Sequence, residues 1–296
     1  MSIVEKALKR LQADTSAARA RPVFGKVVNT AASPATTGRV ISIDQDALRV
    51  AGLLAPRHQE REIASQYRHV KRPLIATAMG KGQEPLRNGR LVMVASALPG
   101  EGKTFTALNL AFSMAMEKDL HVVLVDGDVA KPQISKMFGL DTERGLLDAV
   151  TDPGIELERL ILPTDVANLF LLPAGTPSDR ATELLASERM LEAMNWLLHR
   201  DERRIFIFDS PPLLLSTEAH ALAEVVGQIV VVVRAGYTEH HVLLDALSRL
   251  PEGSSPSLVL NQSTLKSDGY YYYGYGVREG SDASNSDKRQ VGPSGE

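Results

Sequence analysis

Eight consecutive residues, Ala97-Leu-Pro-Gly-Glu-Gly-Lys-Thr104, combine the types and spacing with which a protein backbone wraps phosphate. Gly100 and Gly102 free the chain to turn its N–H groups inward, and Lys103 has the length and charge to reach the β- and γ-phosphates. The Thr104 hydroxyl is a suitable oxygen for Mg²⁺. Pro99, Gly100, Glu101, Gly102, Lys103, Thr104 and Phe105 are therefore the expected contacts of a nucleotide, with ATP and Mg²⁺ as the expected ligands. The plain alternative is a glycine turn joining a strand to a helix; the intact Gly-Lys-Thr between an apolar run and a helical stretch favours phosphate binding. Ala97 replaces the usual first glycine, a change compatible with a negative φ.

Two later apolar runs end in carboxylates. His121-Val-Val-Leu-Val-Asp126-Gly-Asp128 offers two acids two residues apart, and Arg204-Ile-Phe-Ile-Phe-Asp209 offers a third. One Asp closing a strand is most simply a cap for the following turn. Three of them downstream of a phosphate loop point instead to a metal site built from Thr104, Asp126 and Asp209. Lys103, Asp126 and Asp128 are the expected catalytic residues. A phenol has a pKa near 10, so its attack on phosphorus needs a base, and either Asp126 or Asp128 is suited to the task.

Phenols are supplied in number. Tyr270, Tyr271, Tyr272, Tyr273 and Tyr275 are five of the seven tyrosines, packed into six residues after the last apolar run. An aromatic edge strand is the structural alternative, but flanking Gly, Ser and Asp make poor core material, and a solvated run of phosphoacceptors fits better.

Nearly continuous Val, Ile and Leu runs at 91–96, 121–126, 168–172, 204–209, 228–234 and 257–261 alternate with helical stretches at 103–117, 181–199, 217–226 and 239–250. This rhythm predicts an α/β fold, a doubly wound, mostly parallel sheet of the P-loop NTPase type with helices on both faces. Residues 58–265 are the expected catalytic domain and 266–296 a flexible tyrosine-rich tail. Before them, 1–57 is expected to be an amphipathic helix and a linker. Ser2 and Glu5 form a capping-box pattern at 2–12, where Ile3, Val4, Ala7, Leu8 and Leu11 share a face opposite Lys6, Lys9 and Arg10. Such a helix suits an arm on its own domain or a docking element for a partner or an anionic membrane. Pro22, Pro34 and Pro56 among small residues give 19–57 its linker character.

Composition excludes several functions. A hydrophobic share of 44% in 296 residues supports one sizeable core, and a net charge of −3 without basic clusters speaks against nucleic acid. The absence of cysteine excludes disulfides, thiolate metal sites and cysteine nucleophiles, and fits a cytoplasmic location. No apolar stretch reaches the roughly 20 residues of a membrane-spanning helix.

The phosphate loop, the Asp126/Asp128 and Asp209 strand ends and the tyrosine cluster, in that order, resemble the bacterial tyrosine kinases that control polysaccharide chain length and export. The likeness runs from about His58 to Tyr275. Tyr67-Arg-His-Val-Lys-Arg-Pro-Leu74, Ser96-to-Thr104 and Asp126-Gly-Asp-Val-Ala-Lys-Pro132 are similar to exosortase-associated tyrosine autokinases of exopolysaccharide biosynthesis. The resemblance implies autophosphorylation of the tail, with Lys103 and Thr104 on phosphates and Mg²⁺, Asp126 and Asp128 in metal and base roles, and Asp209 completing the metal site. It implies a membrane-bound chain-length or activator partner, a phosphotyrosine phosphatase, a homo-oligomer such as a ring, and a cytoplasmic protein held peripherally at the inner face of the membrane by its partner. The family's assembly helix carries Glu-x-x-Arg-x-x-Arg; here Ser65, Arg68 and Lys71 stand at those places, and lysine lacks arginine's planar fork. Val129 and Ala130 precede Lys131 where the family often has Leu-Arg after the second acid.

A partition- or septum-type ATPase switch is the competing reading. It shares the fold and acidic strands, but usually carries a second lysine early in the loop, where this chain has Ala97 and Leu98. A nucleotide-binding adaptor without transfer chemistry is the third. Labelled ATP separates them by whether phosphate ends on tyrosine, leaves as free phosphate, or stays on the nucleotide.

Overall fold

A computed structural model describes residues 23–29, 39–81 and 86–263. The described residues open with strands β1 (Gly25–Asn29) and β2 (Arg39–Ile43), followed by helix α1 (Gln45–Val50) and the long helix α2 (Glu60–Ala78). Strand β3 (Leu91–Ser96) then leads through the glycine loop into α3 (Lys103–Ala115). There follow β4 (His121–Asp126), α4 (Gln133–Met137), α5 (Leu146–Thr151), β5 (Leu162–Pro163) and β6 (Leu169–Leu172). The last part holds α6 (Ala181–Leu185), α7 (Glu188–Arg200), β7 (Arg204–Asp209), α8 (Thr217–Val225), β8 (Gln228–Arg234), α9 (His240–Ser248) and β9 (Ser257–Asn261).

The main sheet has seven strands in the order β5-β6-β4-β7-β3-β8-β9, parallel throughout except for the short β5. The near-continuous apolar runs have a physical cause in its two cores. Leu91, Met93 and Ala95 of β3 face one core with α5 to α9, while Val92 and Val94 face the other with α2, α3 and α4. β4 and β7 divide their side chains in the same way, so every position after the first, His121 or Arg204, is buried and alternation disappears. Burying each such side chain is worth about 1.5–3 kcal/mol, which makes the central strands a rigid platform for the loops at their carboxyl ends.

The expected single helix over 181–199 is two. Its second half starts afresh at Ser187, whose Oγ accepts from Met190 N at 3.2 Å. Among the described residues, the remaining predicted helices and strands recur with ends shifted by at most two residues.

The linker expectation for 19–57 requires correction within its described part. β1 and β2 pair antiparallel, and Phe24, Ile41, Leu48 and Leu54 are buried in the α2/α3 core. Asp165 secures β2: its carboxylate accepts from Ile43 N and Ser42 Oγ, and its own N–H donates to the Ile41 carbonyl at 2.9 Å. Arg39 forms a two-bonded pair with Glu143, and the Asp44 side chain caps α1 by accepting from Ala47 N. Composition hid this because the strands are five residues each and the residues that anchor β2 to the domain, Glu143 and Asp165, lie more than a hundred positions away. The expected amphipathic helix at 2–12 and the tail at 266–296 lie outside the described residues.

Candidate functional site

The strand order puts β3 between β7 and β8, with β4 beyond β7, so the glycine loop and both acidic strand ends meet at one rim. Gly100 and Gly102 have φ of 80° and 98°, the left-handed region that disfavours side chains. A Cβ on Gly102 would also stand 2.0 Å from Asn261 Nδ2. Ala97 is absent from the positive-φ residues, which explains why alanine serves there.

Glu101 is wholly buried and turned away from the cleft. Its Oε2 accepts from Leu98 N at 2.8 Å, its Oε1 accepts from the Thr238 hydroxyl, and its carbonyl accepts from Asn261 Nδ2 at 2.9 Å. The loop is thus tied to itself, to the turn after β8 and to the end of β9. Thr238 carries no sequence signal for this role. Asn261, closing an apolar run, is the one position where a strand-end polar residue hinted at it.

A cleft of about 630 Å³ opens in front of the loop. Pro99, Gly100, Gly102, Lys103, Thr104 and Phe105 line it, together with Asp128 and Lys131. Of the expected nucleotide contacts, only Glu101 is missing from that lining. Leu53 and Glu218 also line it and were not expected. Burial pulls the Lys103 ammonium below its ordinary pKa, opposed by Asp209, Asp128 and Glu101.

Asp126 and Asp209 are register partners on β4 and β7. Their approach depends on Gly127, whose N–H donates to the Asp209 carbonyl at 2.8 Å and whose Cβ, if present, would lie 2.9 Å from that oxygen. Thr104 Oγ1 donates to Asp209 Oδ2 at 2.7 Å. Ser135 N and Oγ both donate to Asp126 Oδ2 at 2.7 Å, a contact with no signature in the sequence. Asp126 Oδ1 and Asp209 Oδ1 are buried with no hydrogen-bond partner. Burial pushes both carboxyls up to about 7, against the donors that each retains. Two desolvated acids with orphaned oxygens beside a threonine hydroxyl form an oxygen-only set suited to Mg²⁺, which takes a few protein ligands and fills the rest with phosphate and water.

Asp126 and Asp128, two residues apart, occupy different environments. Asp126 is fully buried at the floor, whereas Asp128 is half-buried, lines the cleft and accepts from Lys131 N at 3.1 Å. Burial raises the Asp128 pKa, and Lys103 and Lys131 counter it. The acceptor residues Tyr270, Tyr271, Tyr272, Tyr273 and Tyr275 lie outside the described residues.

Residues 88–212 match the ParA family, described as NUBPL iron-transfer P-loop NTPase. Tyrosine-protein kinase YwqD of Bacillus subtilis is 32% identical over 191 residues, covering 64% of this chain and 79% of YwqD. Tyrosine-protein kinase wzc of Salmonella typhimurium is 29% identical over 187 residues, 62% of this chain; the chain spans only 26% of the length of that relative. Among solved structures, the VpsO kinase domain is 28% identical with a TM-score of 0.58, over 69% of this chain and 96% of that domain. The BceF tyrosine kinase domain, 24% identical, gives the same TM-score over 86% of this chain and 88% of its own, which speaks for the fold.

Proposed function

The chain belongs to the bacterial tyrosine-protein kinase family, built on a ParA-type P-loop domain, and we propose that it is an ATP-dependent autokinase that phosphorylates its own Tyr270–Tyr275 cluster. The observation that carries the reading is the in-register pair Asp126–Asp209, joined to the phosphate loop through Thr104 and fronted by Lys103.

In this reading the backbone N–H groups from Gly100 to Phe105 and the Lys103 ammonium hold the β- and γ-phosphates in line for attack. Thr104, Asp126 and Asp209 would hold Mg²⁺, which when bound neutralises charge on the phosphate oxygens. Ser135 keeps Asp126 oriented with its second oxygen free. Asp128 is the base: it reaches the cleft, has its pKa raised toward that of an effective acceptor, and takes the phenol proton as the tyrosine oxygen attacks. Glu101 acts through the loop that it braces.

The reading extends to regulation of exopolysaccharide polymerisation or export, with a membrane-bound activator, a phosphotyrosine phosphatase and a homo-oligomer as partners. No helix among the described residues is long and apolar enough to cross a membrane. Residence at the inner face of the membrane through that partner is part of the same reading. Mapping phosphate on protein taken from cells that also make the membrane partner tests the acceptor assignment. Phosphate is expected on Tyr270–Tyr275, and protein carrying none there would overturn it.

A further inference from the structure

Among the described residues only two tyrosines occur, and they differ sharply. Tyr67 is 8% exposed, and burial pushes its phenol up to about 12; Tyr237 is 54% exposed. Tyr237 sits in the turn after β8, where its N–H and that of Thr238 both donate to the Arg234 carbonyl, at 3.2 and 3.0 Å, and Gly236 takes φ 66°. Its ring lies against the Arg234 guanidinium, 4.6 Å from carbon to centroid. The next residue, Thr238, receives Arg234 N at 3.0 Å and donates to buried Glu101 of the phosphate loop.

We propose that Tyr237 is a sixth phosphoacceptor, modified by a second copy of this chain; this rests on the autokinase reading above. An exposed phenol on a short, hydrogen-bonded turn is presented to an incoming active site, whereas the Tyr67 ring is enclosed between helices. Tyr237 is not among the residues lining its own molecule's cleft, so the γ-phosphoryl comes from another molecule. In the step, Tyr237 Oη bonds to Pγ, the bond from Pγ to the β-bridging oxygen breaks, ADP leaves, and the phenol proton passes to the donor molecule's Asp128. The product has its counter-ion in place, because a phosphate of about −1.5 to −2 beside Arg234 exchanges a cation–π contact for a charge-assisted pair. That charge arrives one residue from the bond that braces the phosphate loop.

The test uses the full chain with Tyr270, Tyr271, Tyr272, Tyr273 and Tyr275 all changed to Phe, assembled with membranes carrying the activator partner and incubated with γ-labelled ATP and Mg²⁺ beside the wild type and beside the same variant carrying Tyr237→Phe, all under the same conditions. The wild type should label most, and the five-site variant should keep label on the Tyr237 peptide. Adding Tyr237→Phe should reduce that label at least tenfold. A chain combining Lys103→Met with the five Phe changes should become labelled at Tyr237 when mixed with an active chain lacking all six acceptors. A labelled wild type with no label on the five-site variant would overturn the inference and leave the tail assignment standing. No label on tyrosine in any chain would instead overturn the autokinase reading, and this inference with it.

Discussion

Each side chain in the site has a task that its surroundings dictate, and the buried ones are the most exposed to mutation. Ser135→Ala removes one of two donors to a desolvated carboxylate and also strips Ala174 N of its acceptor. Hydrogen bonds to charged groups are worth about 1.5–3 kcal/mol, so urea unfolding of Ser135→Ala should show a loss of about that size, with Asp126 phosphate-transfer function reduced as well. Glu101→Ala leaves Leu98 N and the Thr238 hydroxyl without their partner while removing nothing that touches the cleft. ATP affinity measured by titration calorimetry should fall by roughly ten- to a hundredfold, the equivalent of one or two such bonds, with the fold retained. Unchanged affinity would mean that the loop holds its shape without this brace. The phosphate loop and the three acids were legible in the residues themselves, because their spacing is imposed by ligand chemistry. Ser135, Thr238 and Leu53 were not, because each acts across 9 or more positions of sequence with no fixed spacing to announce it.

At the scale of elements, apolar parallel strands announce themselves in sequence, and the six runs were read nearly to the residue, the exposed edge strand β9 included. Two kinds of element were missed. Short pieces such as α4 and α5 have too few turns to show a period, and β1, β2 and α1 owe their place to contacts far along the chain. The Arg39–Glu143 pair is one of those contacts, and it holds the Glu143 carboxyl below its ordinary value of 4.5 through their hydrogen bonds. A depressed carboxyl stabilises the fold above its unfolded pKa and loses that contribution as pH falls through the lower folded value. Both side chains are partly solvated, so Arg39→Gln should cost under about 1 kcal/mol at pH 7, and the gap from wild type should narrow as pH falls below the ordinary carboxyl value of 4.5. Denaturant midpoints at pH 7 and below that value check it. Helices α2 and α3 are joined more firmly: Lys71 is buried, donating to the Ser113 carbonyl at 2.6 Å and pairing with Glu117 at 2.7 Å, at the end of α3 where the helix dipole favours a cation.

That internal use of Lys71 matters for the whole molecule. The lysine is committed within its own chain, so an assembly through α2 would draw on exposed Arg68 in place of a second basic residue at 71. Lys71→Met should therefore lower stability, by about 1–3 kcal/mol, more than it alters the oligomeric state. Delivery of the tail is within reach of chain geometry, since Tyr270 lies nine positions beyond Asn261, up to roughly 30 Å when extended. Five phosphotyrosines would gather about 7 to 10 negative charges in six residues, facing the acids and nucleotide of the site. Sedimentation at matched concentration should find the phosphorylated form in smaller species than the unphosphorylated form; identical species would remove charge repulsion as the release step.

The central claim is that this rim of Lys103, Thr104, Asp126, Asp128 and Asp209 moves phosphate to tyrosine and does not merely hydrolyse ATP. It is tested most directly by following γ-labelled phosphate in wild-type protein and in Lys103→Met, each assembled with membranes carrying the partner. Label is expected on tyrosine in the wild type, with a loss of several powers of ten in Lys103→Met, since transfer rests on positioning and charge neutralisation. Label released wholly as inorganic phosphate, with none on tyrosine and with the release dependent on Lys103, would contradict it and identify the same site as a hydrolytic switch.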